Sequence, residues 1–120
     1  MQHGLILFAH GAREPLWVEP FETLAKRVKA RAPNTPVRLA FLELMSPDLE
    51  SAAAELIAEG VDSVRIVPVF FGQGGHLRRD LPELVGSLRA RYPEVAFNCA
   101  QPVGEDDAVL DAIVAYCLRP

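Results

Sequence analysis

The chain of 120 residues has few cysteines, no long hydrophobic run and no excess of basic residues. Its two cysteines, Cys99 and Cys117, do not form a C-x-x-C pair, so we expect two buried thiols rather than a disulfide or a zinc site. A net charge of −4 argues against a general nucleic-acid binder. No apolar run approaches the roughly 20 residues of a membrane span. The first residues also lack the pattern of a signal peptide, so we expect a cytoplasmic protein without a membrane partner.

The composition is that of an ordinary globular protein. Half of the residues are apolar and 23% are charged. A chain of this length can bury one core but not two, so we expect a single domain over residues 1–120.

Four apolar runs predict β-strands, at residues 4–9, 37–43, 64–71 and 95–100. Helical patterns alternate with them. The apolar faces of the first, second and fourth helices are predicted to comprise Trp17, Phe21, Leu24, Ala25 and Val28; Leu49, Ala52, Ala53, Leu56 and Ile57; and Val109, Leu110, Ile113 and Val114.

Punctuating residues set the expected helix limits. Ser46 suits the N-cap of the second helix, with Pro47 at its first position, and Gly60 suits its end. The third helix is predicted over residues 80–92 and the fourth over residues 105–118.

Strands with near-continuous apolar runs are typical of a parallel sheet that helices cover on both faces. We therefore predict an α/β fold, a doubly wound domain with a four-stranded parallel sheet. Ligands bind at the carboxyl ends of the strands in such sheets. The loops after the first three strands hold His10, Glu43 and His76.

Two imidazoles and one carboxylate at one edge suit a divalent transition metal such as cobalt, nickel, iron or zinc, because magnesium and calcium prefer oxygen ligands. So few ligands predict an open site rather than a structural one. Gly74 and Gly75 leave room for a large, flat ligand beside His76. A phosphate-binding loop is the competing interpretation of these glycines, although Walker and GxGxxG patterns are absent. Arg78 and Arg79 favour an anionic ligand, or form a solvated face.

Three segments resemble those of one family: LFAHGAREP, FLELMSPDLESA and VPVFFGQGGHLRRDLPEL. The chain is similar to the short sirohydrochlorin cobaltochelatases, the CbiX-type class II chelatases of cobalamin and siroheme biosynthesis. The resemblance implies a flavodoxin-like, chelatase-like fold and ATP-independent insertion of Co²⁺, or of Ni²⁺ or Fe²⁺, into a tetrapyrrole. It also implies a homodimer with the cleft between two copies, and no organic cofactor.

The resemblance places the metal on His10 and His76 and the acidic residue on Glu43. Glu43 would accept a proton or serve as an additional ligand. Arg13, Arg78 and Arg79 would meet the carboxylates of the ring.

Two other functions remain open. Histidine phosphatases also carry His-Gly after the first strand, but they have arginine before that histidine, where this chain has Ala9. A non-catalytic carrier of metal or tetrapyrrole would use the same histidines without turnover.

Overall fold

Strands and helices alternate from one end of the chain to the other. The computed structural model describes residues 2–120, with the side chain of His76 outside the described part. The strands are β1 (His3–Ala9), β2 (Val37–Phe41), β3 (Ser63–Pro68) and β4 (Ala96–Cys99), and the helices are α1 (Glu19–Arg31), α2 (Leu49–Ala58), α3 (Gly75–Arg91) and α4 (Asp107–Cys117). Short 3₁₀ turns at Pro15–Val18 and Val103–Glu105 precede α1 and α4.

The four strands form one parallel sheet in the order β2-β1-β3-β4. The chain leaves β1 toward β2 on one side and later returns to β3 on the other. The order therefore reverses between β1 and β3, which is the topological switch point of the sheet. The predicted fold class is confirmed.

Successive strand residues point to opposite sides of the sheet, so both faces are apolar. Helices cover both of these faces. Ile6 and Phe8 of β1 belong to the larger core, with α2 and α3. Leu7 packs on the other side with Ala25 of α1. Burial of these side chains is the main source of stability for the fold.

The helix α2 begins later than predicted. Asp48, not Ser46, is its N-cap, and the Asp48 carboxylate accepts a hydrogen bond from the Ser51 N–H at 2.8 Å. The prediction that Gly60 ends this helix is consistent with its φ of +96°.

The helix α3 begins earlier than predicted, at Gly75 instead of Asp80. The Arg78 N–H donates to the Gly74 carbonyl at 3.1 Å, so the helical hydrogen bonds start within the glycine-rich segment. Pro82 consequently lies inside the helix rather than at its opening. His76 is the second residue of α3.

Two expected apolar faces are only partly covered. Leu24 of α1 is exposed, and the α4 residue Val114 is 53% exposed. Among the described residues of α4, none is buried. Helical periodicity identifies residues that share a face, but it does not show that another element covers that face.

Both cysteines are free thiols. Cys99 is half-buried, and burial raises the pKa of its thiol, while Arg89 and Arg65 act in the opposite direction. Cys117 is exposed, so the prediction of a buried thiol is wrong there.

Among the described residues, no helix is both long and apolar enough to span a membrane.

Candidate metal and substrate site

His10 and Glu43 lie together at the carboxyl edge of the sheet, as the sequence predicts. The Nε2 atom of His10 is 3.3 Å from Oε1 of Glu43, and the two side chains are 53% and 55% exposed. Water or a ligand can therefore reach both groups. An imidazole nitrogen and a carboxylate oxygen in contact provide two donors that a borderline transition metal accepts.

The backbone holds this pair in register. Ala9 of β1 is opposite Phe41 of β2, and the pairing continues past both strand ends. The Leu42 N–H donates to the Ala9 carbonyl at 2.9 Å, and the Glu43 N–H donates to the His10 carbonyl at 3.1 Å. The positions of the two side chains thus follow from strand pairing rather than from flexible loops.

Gly11 permits the close approach of the two segments. Its φ is +98°, and a Cβ atom built on it would lie 1.8 Å from the Glu43 carbonyl oxygen. Any side chain here would push the Glu43 segment away. No sequence pattern indicates this role for Gly11, because the requirement comes from a neighbour 32 residues later in the chain.

A tight turn follows Glu43. The Met45 N–H donates to the Glu43 carbonyl at 2.8 Å, and Leu44 between them has a φ of 66°. This is a γ-turn of the rare type with positive φ, which costs about 1–2 kcal/mol for a residue that carries a Cβ atom. The strand β2 ends at Phe41, two residues before the predicted limit at residue 43, and the turn ends the continued pairing after Glu43.

For the third predicted ligand, His76, the structure describes the backbone but not the side chain. His76 follows β3 at the same carboxyl edge and belongs to the first turn of α3, but its side chain lies outside the described residues. Within the described part, no three groups of the metal-binding types cluster together. The prediction that His76 joins His10 and Glu43 therefore stays a prediction.

The glycines before His76 are not required by steric limits. A Cβ atom on Gly74 or Gly75 would meet no heavy atom within 4 Å. Gly74 is the N-cap of α3 and has a φ of −66°, which any residue can adopt. The expected sharp, glycine-dependent turn is therefore absent at Gly74, and the expected room for a large, flat ligand beside His76 stays a prediction.

The three predicted cations are all exposed. Arg13 follows β1, and Arg78 and Arg79 lie in the first turns of α3. The Arg78 Nε donates to the Gln73 carbonyl at 3.4 Å, a long hydrogen bond that leaves the guanidinium accessible. All three follow strands at their carboxyl ends, as expected.

A groove of about 740 Å³ lies between α1 and β2. At the edge of the sheet its wall includes Arg13, Leu44 and Met45, and it continues toward Lys29 and Arg38. The groove starts at the residue after Glu43, so it lies beside the His10–Glu43 pair rather than around it. This groove was not predicted, because no sequence motif indicates it.

These features define a class: a doubly wound α/β protein with an open imidazole–carboxylate pair at the carboxyl edge of its sheet. The CbiX family model matches residues 4–117. The chain belongs to the CbiX family, and the family predicted from the sequence is confirmed.

Relatives of the chain include a sirohydrochlorin cobaltochelatase from Saccharolobus solfataricus. It is 31% identical over 121 residues, which cover 92% of this chain and 90% of the relative. The crystal structure of a CbiX protein from Marinobacter aquaeolei VT8 is 32% identical, with a TM-score of 0.84, and the match covers 96% of this chain and 93% of that protein.

A longer relative is named for the insertion of iron rather than cobalt. The sirohydrochlorin ferrochelatase of Bacillus subtilis is 25% identical over 113 residues, which cover 94% of this chain but 43% of the relative. The predicted enzyme class, a metal chelatase, is confirmed by these relatives.

Proposed function

We propose that this protein inserts a divalent metal ion into a sirohydrochlorin-type tetrapyrrole without ATP. The contact between His10 and Glu43 at the open edge of the sheet, in a chain of the CbiX family, is the observation that carries the proposal. The curated relatives are named as cobaltochelatases and as a ferrochelatase. We propose Co²⁺ as the metal, with Ni²⁺ and Fe²⁺ as alternatives.

The reaction exchanges two pyrrole N–H protons for one M²⁺ ion. The protein has to replace water on the metal, hold the ion near the ring and accept protons. We assign His10 and His76 to the metal, since neutral imidazole binds these ions firmly but exchangeably. We assign Glu43 to proton removal or to a third ligand position.

The substrate carries carboxylates at its periphery, and we propose that Arg13, Arg78 and Arg79 bind them. Guanidinium groups pair with carboxylates in a bidentate geometry, and the exposure of all three side chains leaves them accessible to a large ligand. A Cβ atom on Gly74 or Gly75 would meet nothing within 4 Å, which supports the proposal that the flat ring approaches α3 beside these glycines.

We further propose that residues 1–120 act as one chelatase domain in the cytoplasm and that two copies form a homodimer. The Bacillus subtilis relative is about twice as long as the region that matches this chain. A second copy would supply the other half of the cleft. The exposed apolar side chains of α4 support self-association.

The direct test follows the absorption change when sirohydrochlorin and Co²⁺ are mixed with the protein. We expect a rate well above the uncatalysed rate, and a loss of about 10²-fold or more in His10→Ala and His76→Ala. His3→Ala is the matched control, because His3 is exposed at the amino end of β1, opposite the proposed site.

Glu43→Gln separates the two roles of the carboxylate. If Glu43 is the base, the variant keeps its affinity for Co²⁺ and loses rate; if it is a ligand, the affinity for Co²⁺ falls as well. A wild-type protein that binds the tetrapyrrole but matches the uncatalysed rate would refute the proposal and identify a carrier.

A further inference from the structure

Leu44 combines an unfavourable backbone conformation with an exposed apolar side chain. It occupies the centre of the γ-turn after Glu43, with a φ of 66°, and its side chain is 57% exposed. Glycine or asparagine adopts positive φ more easily than leucine does. The fold therefore accepts an energetic penalty here for a side chain that contributes little to the core.

The surroundings of Leu44 indicate what the side chain is for. Leu44 comes directly after the candidate ligand Glu43, and it lines the edge of the groove together with Arg13 and Met45. An apolar side chain next to a candidate metal-binding carboxylate and a guanidinium matches a ligand that has a flat apolar face, a metal-binding centre and carboxylates around its rim.

We propose that Leu44 is a substrate-contact residue, and that the γ-turn presents its side chain to the face of the tetrapyrrole ring. This inference rests on the proposed function, because it takes the tetrapyrrole as the ligand. It adds a specificity element: the turn fixes the distance between the group that holds the metal and the surface that supports the ring.

The test measures tetrapyrrole binding without metal, from the fluorescence of metal-free sirohydrochlorin titrated with protein. We expect Leu44→Ala to raise the Kd about 5- to 10-fold, because the side chain loses most of its apolar contact area. Leu44→Asn, which tolerates positive φ but is polar, should weaken binding at least as much. Leu24→Ala, which shortens an exposed leucine of α1 outside the groove lining, should leave the Kd unchanged.

Two further measurements separate the effect of the Leu44 side chain from the effect of the γ-turn backbone. Co²⁺ affinity in the absence of tetrapyrrole should stay within twofold of wild type in Leu44→Ala. Leu44→Gly relaxes the turn and removes the side chain, so it should bind the tetrapyrrole as weakly as Leu44→Ala. Wild-type affinity in Leu44→Gly or Leu44→Asn would assign the role to the turn alone and overturn the inference.

The outcomes also distinguish this inference from the proposed function. If wild type catalyses metallation and Leu44→Ala binds the ring normally, only the inference fails. If wild type binds the ring without accelerating metallation and Leu44→Ala weakens binding, the inference stands and the chelatase proposal fails. A wild type that does not bind the ring, or a Leu44→Ala variant whose sedimentation shifts from dimer to monomer, overturns the inference.

Discussion

At the scale of single residues, the site depends on a glycine whose importance lies in the space around it. Gly11→Ala would place a methyl group 1.8 Å from the Glu43 carbonyl oxygen and keep a φ of +98°. We expect a loss of about 1–3 kcal/mol in unfolding free energy from the backbone conformation alone. Because His10 and Glu43 would separate, we also expect metallation to slow by about 10-fold to 100-fold. Urea unfolding and the metallation assay measure the two effects.

Gly86→Ala is the control for this change. Gly86 lies inside α3, and a Cβ atom there would meet nothing within 4 Å. Alanine should therefore stabilise the helix by about 0.5–1 kcal/mol and leave the rate unaltered. Equal stability and equal activity of Gly11→Ala and wild type would show that the Glu43 segment moves freely and that the site does not require Gly11.

At the scale of elements, the hydrogen bond that caps α2 can be removed to test at which residue this helix begins. The N–H of Ser51 donates to the Asp48 carboxylate, and this hydrogen bond lowers the pKa of Asp48. Asp48→Ala should lower the unfolding free energy by about 1 kcal/mol at pH 7. Ser46→Ala, at the N-cap predicted from the sequence, should change it by no more than about 0.5 kcal/mol.

The pH dependence of this cap follows from the direction of the pKa shift. A carboxyl group with a lowered folded-state pKa stabilises the fold above its unfolded value, about 3.9, and loses that contribution as the pH falls through the folded value. Wild type should thus lose more unfolding free energy on acidification than Asp48→Asn does, so the stability difference between the two proteins should shift toward the variant. Urea titrations at pH 7 and near pH 3 measure it. A difference that is independent of pH would contradict the assigned cap.

The sequence predicted elements better than it predicted their ends. Apolar runs identified all four strands because both faces of a parallel sheet are buried. The predicted ends of the helices were wrong where a local pattern had two interpretations. Ser46-Pro47 resembles a helix start, but Asp48 makes the capping hydrogen bond. The glycines before His76 resemble a loop, but the helical bonds begin at Gly74.

Part of the site could be predicted from the sequence because the order of the strands determines it. His10 and Glu43 were found because parallel strands end at one edge, so residues after them meet. The roles of Gly11 and Leu44 could not be found in this way. They depend on one carbonyl oxygen and one φ angle, which arise only when the two segments are packed together.

At the scale of the whole molecule, the protein is less compact than a typical domain of its length, and its last helix, α4, carries exposed apolar side chains. The radius of gyration is 14.8 Å, whereas a compact chain of this length has about 13.6 Å. Along α4, Val109, Leu110 and Ile113 are half-buried, while Val114 and Tyr116 are 53% and 66% exposed. An apolar helix that its own sheet covers so poorly is typical of a surface that pairs with another copy.

We therefore expect the protein to sediment as a dimer and the variant Val114→Asp, on the same face of α4 as the half-buried Leu110, to shift it toward monomer. Ala115→Asp is the matched control, because Ala115 is exposed and lies two positions beyond Ile113, on the opposite side of the helix. Circular dichroism verifies that each variant remains folded. If the cleft needs two copies, the monomeric variant should also lose most of its metallation rate while Ala115→Asp retains it. A wild type that sediments as a monomer at micromolar concentration and still catalyses metallation would show that one copy of the fold forms a complete site.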